Sequence, residues 1–195
     1  MTKNKKRLYV ALYPSGTVGN EERRYDIPPS PNPLTRPVLN SPTLRRYHWA
    51  FLVGPKVEAG KAVPGMRYHV KNFPGSRWVY EELEAKDVRW TNRLLARIVV
   101  AKIEDQGRLV DIMRNTPVVQ GDDSWRCRSW IADVLARLDR DDRAVGTAKL
   151  GWGEIEAKAR AYVAEKDAAG RYSTVDELLK PKPTWDLLAG KEIVP

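Results

Sequence analysis

Residues 45–55, RRYHWAFLVGP, decide the fold. Large apolar and aromatic residues alternate with smaller or polar ones, and Gly54 and Pro55 end the run. That is the signature of a strand with one face turned to a core. A second such run, MRYHVKNF, follows at 66–73. The segment between them, KVEAGKAVPG, carries Gly60 and the pair Pro64-Gly65, so an antiparallel hairpin with a long loop is expected.

Outward from the hairpin the pattern mixes strands with helices. RLYVALY (7–13) stops at PSG and reads as a strand. LLARIVVAKIE (94–104), β-branched at its centre, reads as a central strand. WVYEELE (78–84) fits a strand or a short helix. DQGRLVDIMRNTP (105–117) reads as a short helix ended by Pro117. In 124–138, SWRCRSWIADVLARL, apolar residues at 127, 130, 131, 134, 135 and 138 recur at helical spacing, with Asp122, Asp123 or Ser124 as the cap. A further helix is expected over 152–170. A short one starts in STVDELL, where Thr174 and Glu177 form a capping box. The class is α+β, an antiparallel β-sheet packed with helices.

At 195 residues the chain suits one domain, 1–195. Prolines at 28, 29, 31, 33, 37 and 42 make 27–43 a loop, expected to border the site because it leads into the His48 strand. Residues 181–195, after Pro181, read as a surface tail.

The net charge of +9 comes from dispersed Lys and Arg; it suits an acidic partner or simply a solvated surface. One cysteine cannot make an intramolecular disulfide, and no run approaches a membrane span. The expected localisation is cytoplasmic or, from the basic run KNKKR at 3–7, nuclear. The seven tryptophans read as core or cleft wall before they read as a stacking surface for bases, so nucleic acid is the weaker partner class.

Chemistry concentrates on three residues. His48, His69 and Cys127 are all the histidine and cysteine of the chain, too few and too widely spaced for a zinc motif, so no metal is expected. They suit a thiol nucleophile with a histidine base. A helix start and the flanking Arg126 and Arg128 both lower a thiol pKa, while the apolar stripe shared with Ile131, Val134 and Leu138 is where an inert, buried cysteine sits.

The segments YHWAFLVGP, RYHVKN and RCRSWIADVL resemble the circularly permuted papain-like (NlpC-like and lecithin:retinol acyltransferase-like) cysteine hydrolases and acyltransferases. In that group a histidine comes first in an HWA strand, a second follows on the next strand, and the cysteine heads a helix. The whole chain also resembles a fungal family of uncharacterised proteins. The permuted papain-like resemblance implies Cys127 as nucleophile, His48 as base, His69 or Asn72 as the orienting polar group, and Gln120 as an oxyanion donor. Trp49, Trp125, Arg126 and Arg128 would then border the cleft. The implied reaction is hydrolysis or acyl or peptidyl transfer on an amide, isopeptide or ester. It would proceed through a thioester without a cofactor, on a small-molecule, peptide or acyl substrate. The alternative is a non-catalytic basic binding module on the same fold.

Overall fold

A computed structural model describes residues 5–15, 47–73, 77–91 and 93–195. The proline-rich stretch 27–43 lies outside the described residues. Eight strands among the described residues form one sheet: β1 (Lys6–Pro14), β2 (Tyr47–Pro55), β3 (Gly65–Phe73), β4 (Arg77–Ala85), β5 (Ala96–Ile103), β6 (Val145–Ala148), β7 (Thr184–Asp186) and β8 (Lys191–Val194). Their order is β4-β3-β2-β1-β5-β7-β8, with β6 also on β5. Every pairing is antiparallel except β5 with β7. Helices α1 (Gln106–Arg114), α2 (Cys127–Asp139), α3 (Trp152–Ala168) and α4 (Val175–Leu179) complete an α+β fold.

Period-two alternation sorts the two faces. Leu8, Val10 and Leu12 of β1, Trp49, Phe51 and Val53 of β2, and Ile98 and Val100 of β5 share one large core with the buried stripes of α1, α2 and α3. On α2 that stripe is Cys127, Trp130, Ile131, Val134, Leu135 and Leu138. Trp130 meets Phe51 and Tyr80 at ring distances of 5.8 and 5.6 Å. Each such side chain, once buried, is worth about 1.5–3 kcal/mol of apolar transfer. The intervening residues Tyr9, Ala11, Tyr13, Ala50, Leu52 and Val99 form a smaller cluster on the opposite face.

The hairpin of β2 and β3 forms as expected, and 78–84 proves to be a strand. Gly65 is required at the hairpin's base, because a Cβ there would stand 2.2 Å from the carbonyl oxygen of Val53. Residues 181–195 are not a surface tail. β7 adds to the free edge of β5, and Lys182, Thr184 and Leu187 are buried. Burying that edge satisfies backbone groups of β5 that would otherwise face solvent.

Candidate active site

Cys127 is the first residue of α2, and its helix starts later than its capping residues suggest. Ser124 spends its N–H and hydroxyl on the Asp122 carboxylate, at 2.7 and 2.6 Å, in a turn before the helix. Arg126, in extended conformation, takes the N-cap position, and its N–H donates to Ser129 Oγ at 3.3 Å. The cysteine is therefore one residue past the cap, with the N–H groups of Cys127 and Arg128 directed at its own sulfur.

Its thiol meets the strand that carries His48. Cys127 Sγ donates to the carbonyl oxygen of Tyr47 at 3.9 Å, and the N–H of Trp49 approaches the same sulfur. The two backbone groups flanking His48 thus both point at the thiol. The β2–β3 ladder is paired only over Phe51–Val53, so it does not extend to the start of β2.

His48 itself projects to the opposite face, beside Tyr13, with ring centroids 6.1 Å apart. There Nε2 of His48 and Nδ1 of His69 share a hydrogen bond of 2.8 Å. Nε2 of His69 meets Glu81 Oε2 at 2.9 Å, and Lys71 Nζ donates to Glu81 Oε1 at 2.5 Å. No hydrogen bond joins Cys127 to His48 among the described residues.

The electrostatics of the thiol differ from the expectation drawn from its flanking residues. Burial pushes the Cys127 thiol above its ordinary pKa. The N–H groups of Trp49, Arg128 and Cys127 and the Arg128 charge pull it down, but by less. Arg126 instead donates to the carbonyl of Trp125 at 2.6 Å, and Arg128 also reaches Glu156 at 3.4 Å. Burial also pushes His48 down to about 3, helped by His69 and Arg67. His69 falls to about 4 through burial and Arg67, against the pull of Glu81. Both imidazoles are neutral at neutral pH, and the resting thiol is protonated.

Other expected site residues separate from this centre. Asn72 lies on the opposite face of β3 from His69, so the group that touches His48 is His69; Asn72 Oδ1 is buried without a hydrogen-bond partner. Gln120, expected as an oxyanion donor, spends its amide on β4: its Nε2 donates to the Trp78 carbonyl at 2.8 Å and its Oε1 accepts the Trp78 N–H at 2.9 Å, so both ends strap that edge strand. Trp49 is 1 % exposed and stacks edge-on with Trp152 at 5.0 Å, a core residue instead of a cleft wall. Trp125 is also buried, against Trp78. Glu81 and Lys71 carry no signal in the sequence, where 78–84 fits a strand or a short helix. Only the register that sets Glu81 directly across from His69 reveals them.

The sequence profile of DUF6914, described as a family of unknown function, matches residues 5–194. The chain belongs to that family. No curated protein and no solved structure matches this DUF6914 chain significantly. No helix among its described residues is long and apolar enough to cross a membrane, and no group of three or more His, Cys, Asp and Glu side chains among them is placed to hold a metal ion.

Proposed function

We propose that this DUF6914 protein is a cysteine-dependent hydrolase or acyl or peptidyl transferase with a permuted papain-like arrangement. One observation carries the reading: the thiol of Cys127 rests on the backbone groups either side of His48, while the His48 ring heads a hydrogen-bonded line through His69 to Glu81. Nucleophile, base and orienting group thereby fall to Cys127, His48 and His69, in the order the resemblance implies.

In the forward step the Sγ–H proton passes to the free ring nitrogen of His48 as sulfur bonds to the substrate carbonyl carbon. The developing oxyanion is stabilised by N–H groups of the first turn of α2, in a site with little water. Collapse of the tetrahedral species breaks the bond to the amine or alcohol leaving group, which takes the proton from His48. Water, or an acceptor amine or hydroxyl, then attacks the thioester and regenerates the thiol. On this reading the Cys127–His48 contact, which the resting arrangement does not make, has to form in the substrate complex.

The test is acylation. The protein is incubated with p-nitrophenyl acetate and with a peptide thioester, then read by intact mass and by hydroxylamine release. A hydroxylamine-sensitive adduct on Cys127, lost in C127A and slowed in H48A, supports the reading. No hydroxylamine-sensitive adduct on Cys127, or one that forms as fast in H48A as in the wild type, overturns it. Salt-sensitive retention of nucleic acid by the same unreactive protein would favour a basic binding module, to which the net charge of +9 is suited.

A further inference from the structure

We propose that Glu81, clamped by Lys71, is a positioning residue that sets the tautomers of both histidines and leaves the free lone pair on His48 Nδ1. The inference rests on the Cys127–His48 reading above and extends it to a part of the sheet that never touches the thiol.

An ionised carboxylate only accepts hydrogen bonds. Glu81 is held in that state: burial pushes its carboxyl up, but the hydrogen bonds from Lys71 and His69 more than offset this. His69 Nε2, 2.9 Å from Glu81 Oε2, must therefore carry the proton. A neutral imidazole has one N–H, so His69 Nδ1 is an acceptor. It lies 2.8 Å from His48 Nε2, which must then be the N–H donor. What remains on His48 is Nδ1, with its lone pair unspent. Nδ1 is also the ring nitrogen nearer the main chain, and the backbone groups flanking His48 are those that hold Cys127 Sγ. A single negative charge at Glu81 thus decides which nitrogen can take the thiol proton, two rings away.

The scaffold keeps this line straight. Glu81 stands directly across from His69 in the β3–β4 ladder, and Lys71 lies two residues along on the same face of β3. Rigid strands hold such a constellation better than loops would. Lys71 also makes a mutational contrast available. In Glu81→Gln the amide has one acceptor oxygen for two donors. With Lys71 taking it, the amide NH2 faces His69 Nε2 and demands an acceptor there. The proton moves to His69 Nδ1, His48 Nε2 becomes the acceptor, and His48 Nδ1 gains the proton it must not carry. In Lys71→Met/Glu81→Gln the amide is free to turn its oxygen to His69 and restore the original chain.

Long-range 1H–15N NMR reads the tautomers directly, and the chain has only two histidines to assign. The rate of Cys127 alkylation by iodoacetamide at pH 7.5 reads the consequence. In the wild type both rings should be protonated at Nε2 and bare at Nδ1. E81Q should invert both rings and slow alkylation roughly 10- to 100-fold, by analogy with the loss of the outer partner of a metal-bound imidazole. K71M/E81Q should restore the tautomers and most of the rate. A wild-type ring protonated at Nδ1, or an E81Q spectrum with unchanged tautomers, overturns the proposal; the wild-type spectrum alone decides if E81Q does not fold. Inverted tautomers with an unchanged alkylation rate instead remove the link to Cys127, and with it the catalytic reading, while the tautomer assignment stands.

Discussion

His48 and His69 meet edge to face, Nε2 to Nδ1 at 2.8 Å, with ring planes at 77°. One proton lies between those two nitrogens, so protonating the accepting nitrogen would set two N–H groups against each other. The contact is built for neutral rings, in a setting where burial already disfavours charge.

Stability should therefore fall steeply in mild acid. Unfolded histidines bind protons below about pH 6.5, whereas the folded ones resist until about 4 for His69 and about 3 for His48. Between those limits the unfolded chain binds more protons, so the stability present above pH 6.5 is lost as pH falls, by up to about 1.4 kcal/mol per unit for each histidine. Arg67, Lys71 and Glu81 face the same pair. The arginine and lysine reinforce the trend, and Glu81 opposes it for His69 until its own low pKa is reached. Urea melts from pH 4.5 to 8 should show this slope, and His69→Leu should flatten it. A pH-independent wild-type midpoint over that range would count against buried neutral rings.

The thiol should titrate above the free value of about 8.5. Burial is the largest influence on Cys127, and no imidazolium stands nearby at neutral pH to oppose it. Rates of iodoacetamide alkylation against pH should centre higher for the native protein than for the same protein in denaturant. His48→Ala should slow the native reaction near pH 7.5 by removing the proton acceptor, without lowering the thiol pKa. A native profile centred well below 8.5 would show that the helix start outweighs burial. Cys127→Ala should fold, at a cost of about 1–2 kcal/mol for the lost packing.

Much of this arrangement is legible in the sequence. The alternation in YHWAFLV places His48 on one face and Trp49 on the other, and the 127–138 stripe fixes which side of α2 is buried. Other features depend on what neighbours do at a distance. β7 and β8 are three and four residues long, too short for a period to register, and they form because β5 has an edge to fill. Glu81 is one acid among several until the strand register sets it opposite His69. The thiol pKa balances helix-start N–H groups against desolvation, and the burial that decides the balance comes from the tertiary packing of α2 on β2. Gln120 lies 42 residues from the Trp78 it straps, with no local pattern to join them.

That strap gives a separable prediction. Gln120→Ala leaves the Trp78 N–H and carbonyl at the edge of β4 without their side-chain partner. The site is exposed, so water replaces much of what is lost, and the cost should be about 1 kcal/mol. Hydrogen exchange at Trp78 should accelerate, while Cys127 alkylation should change less than twofold. A large loss of thiol reactivity would return Gln120 to the active site.

The final prediction concerns a buried charge on the histidine face. Arg97 is fully buried in β5; its guanidinium makes paired bonds to Glu58 at 2.6 and 2.9 Å, and its Nε donates to Thr184 Oγ1 at 3.1 Å. Glu58 is part of the hairpin loop between β2 and β3, and its side chain is 15 % exposed. The two partners are therefore unequal. Removing the acid strands a guanidinium that water cannot reach, whereas removing the arginine leaves a carboxylate that water can still approach. Glu58→Ala should cost about 3–5 kcal/mol. Arg97→Met keeps much of the side-chain volume and discards the buried charge, and should cost less. Glu58→Gln, which keeps an acceptor, should fall between them. Urea denaturation of the three variants ranks them, and the order reverses if Arg97 draws its stability from packing more than from its acid.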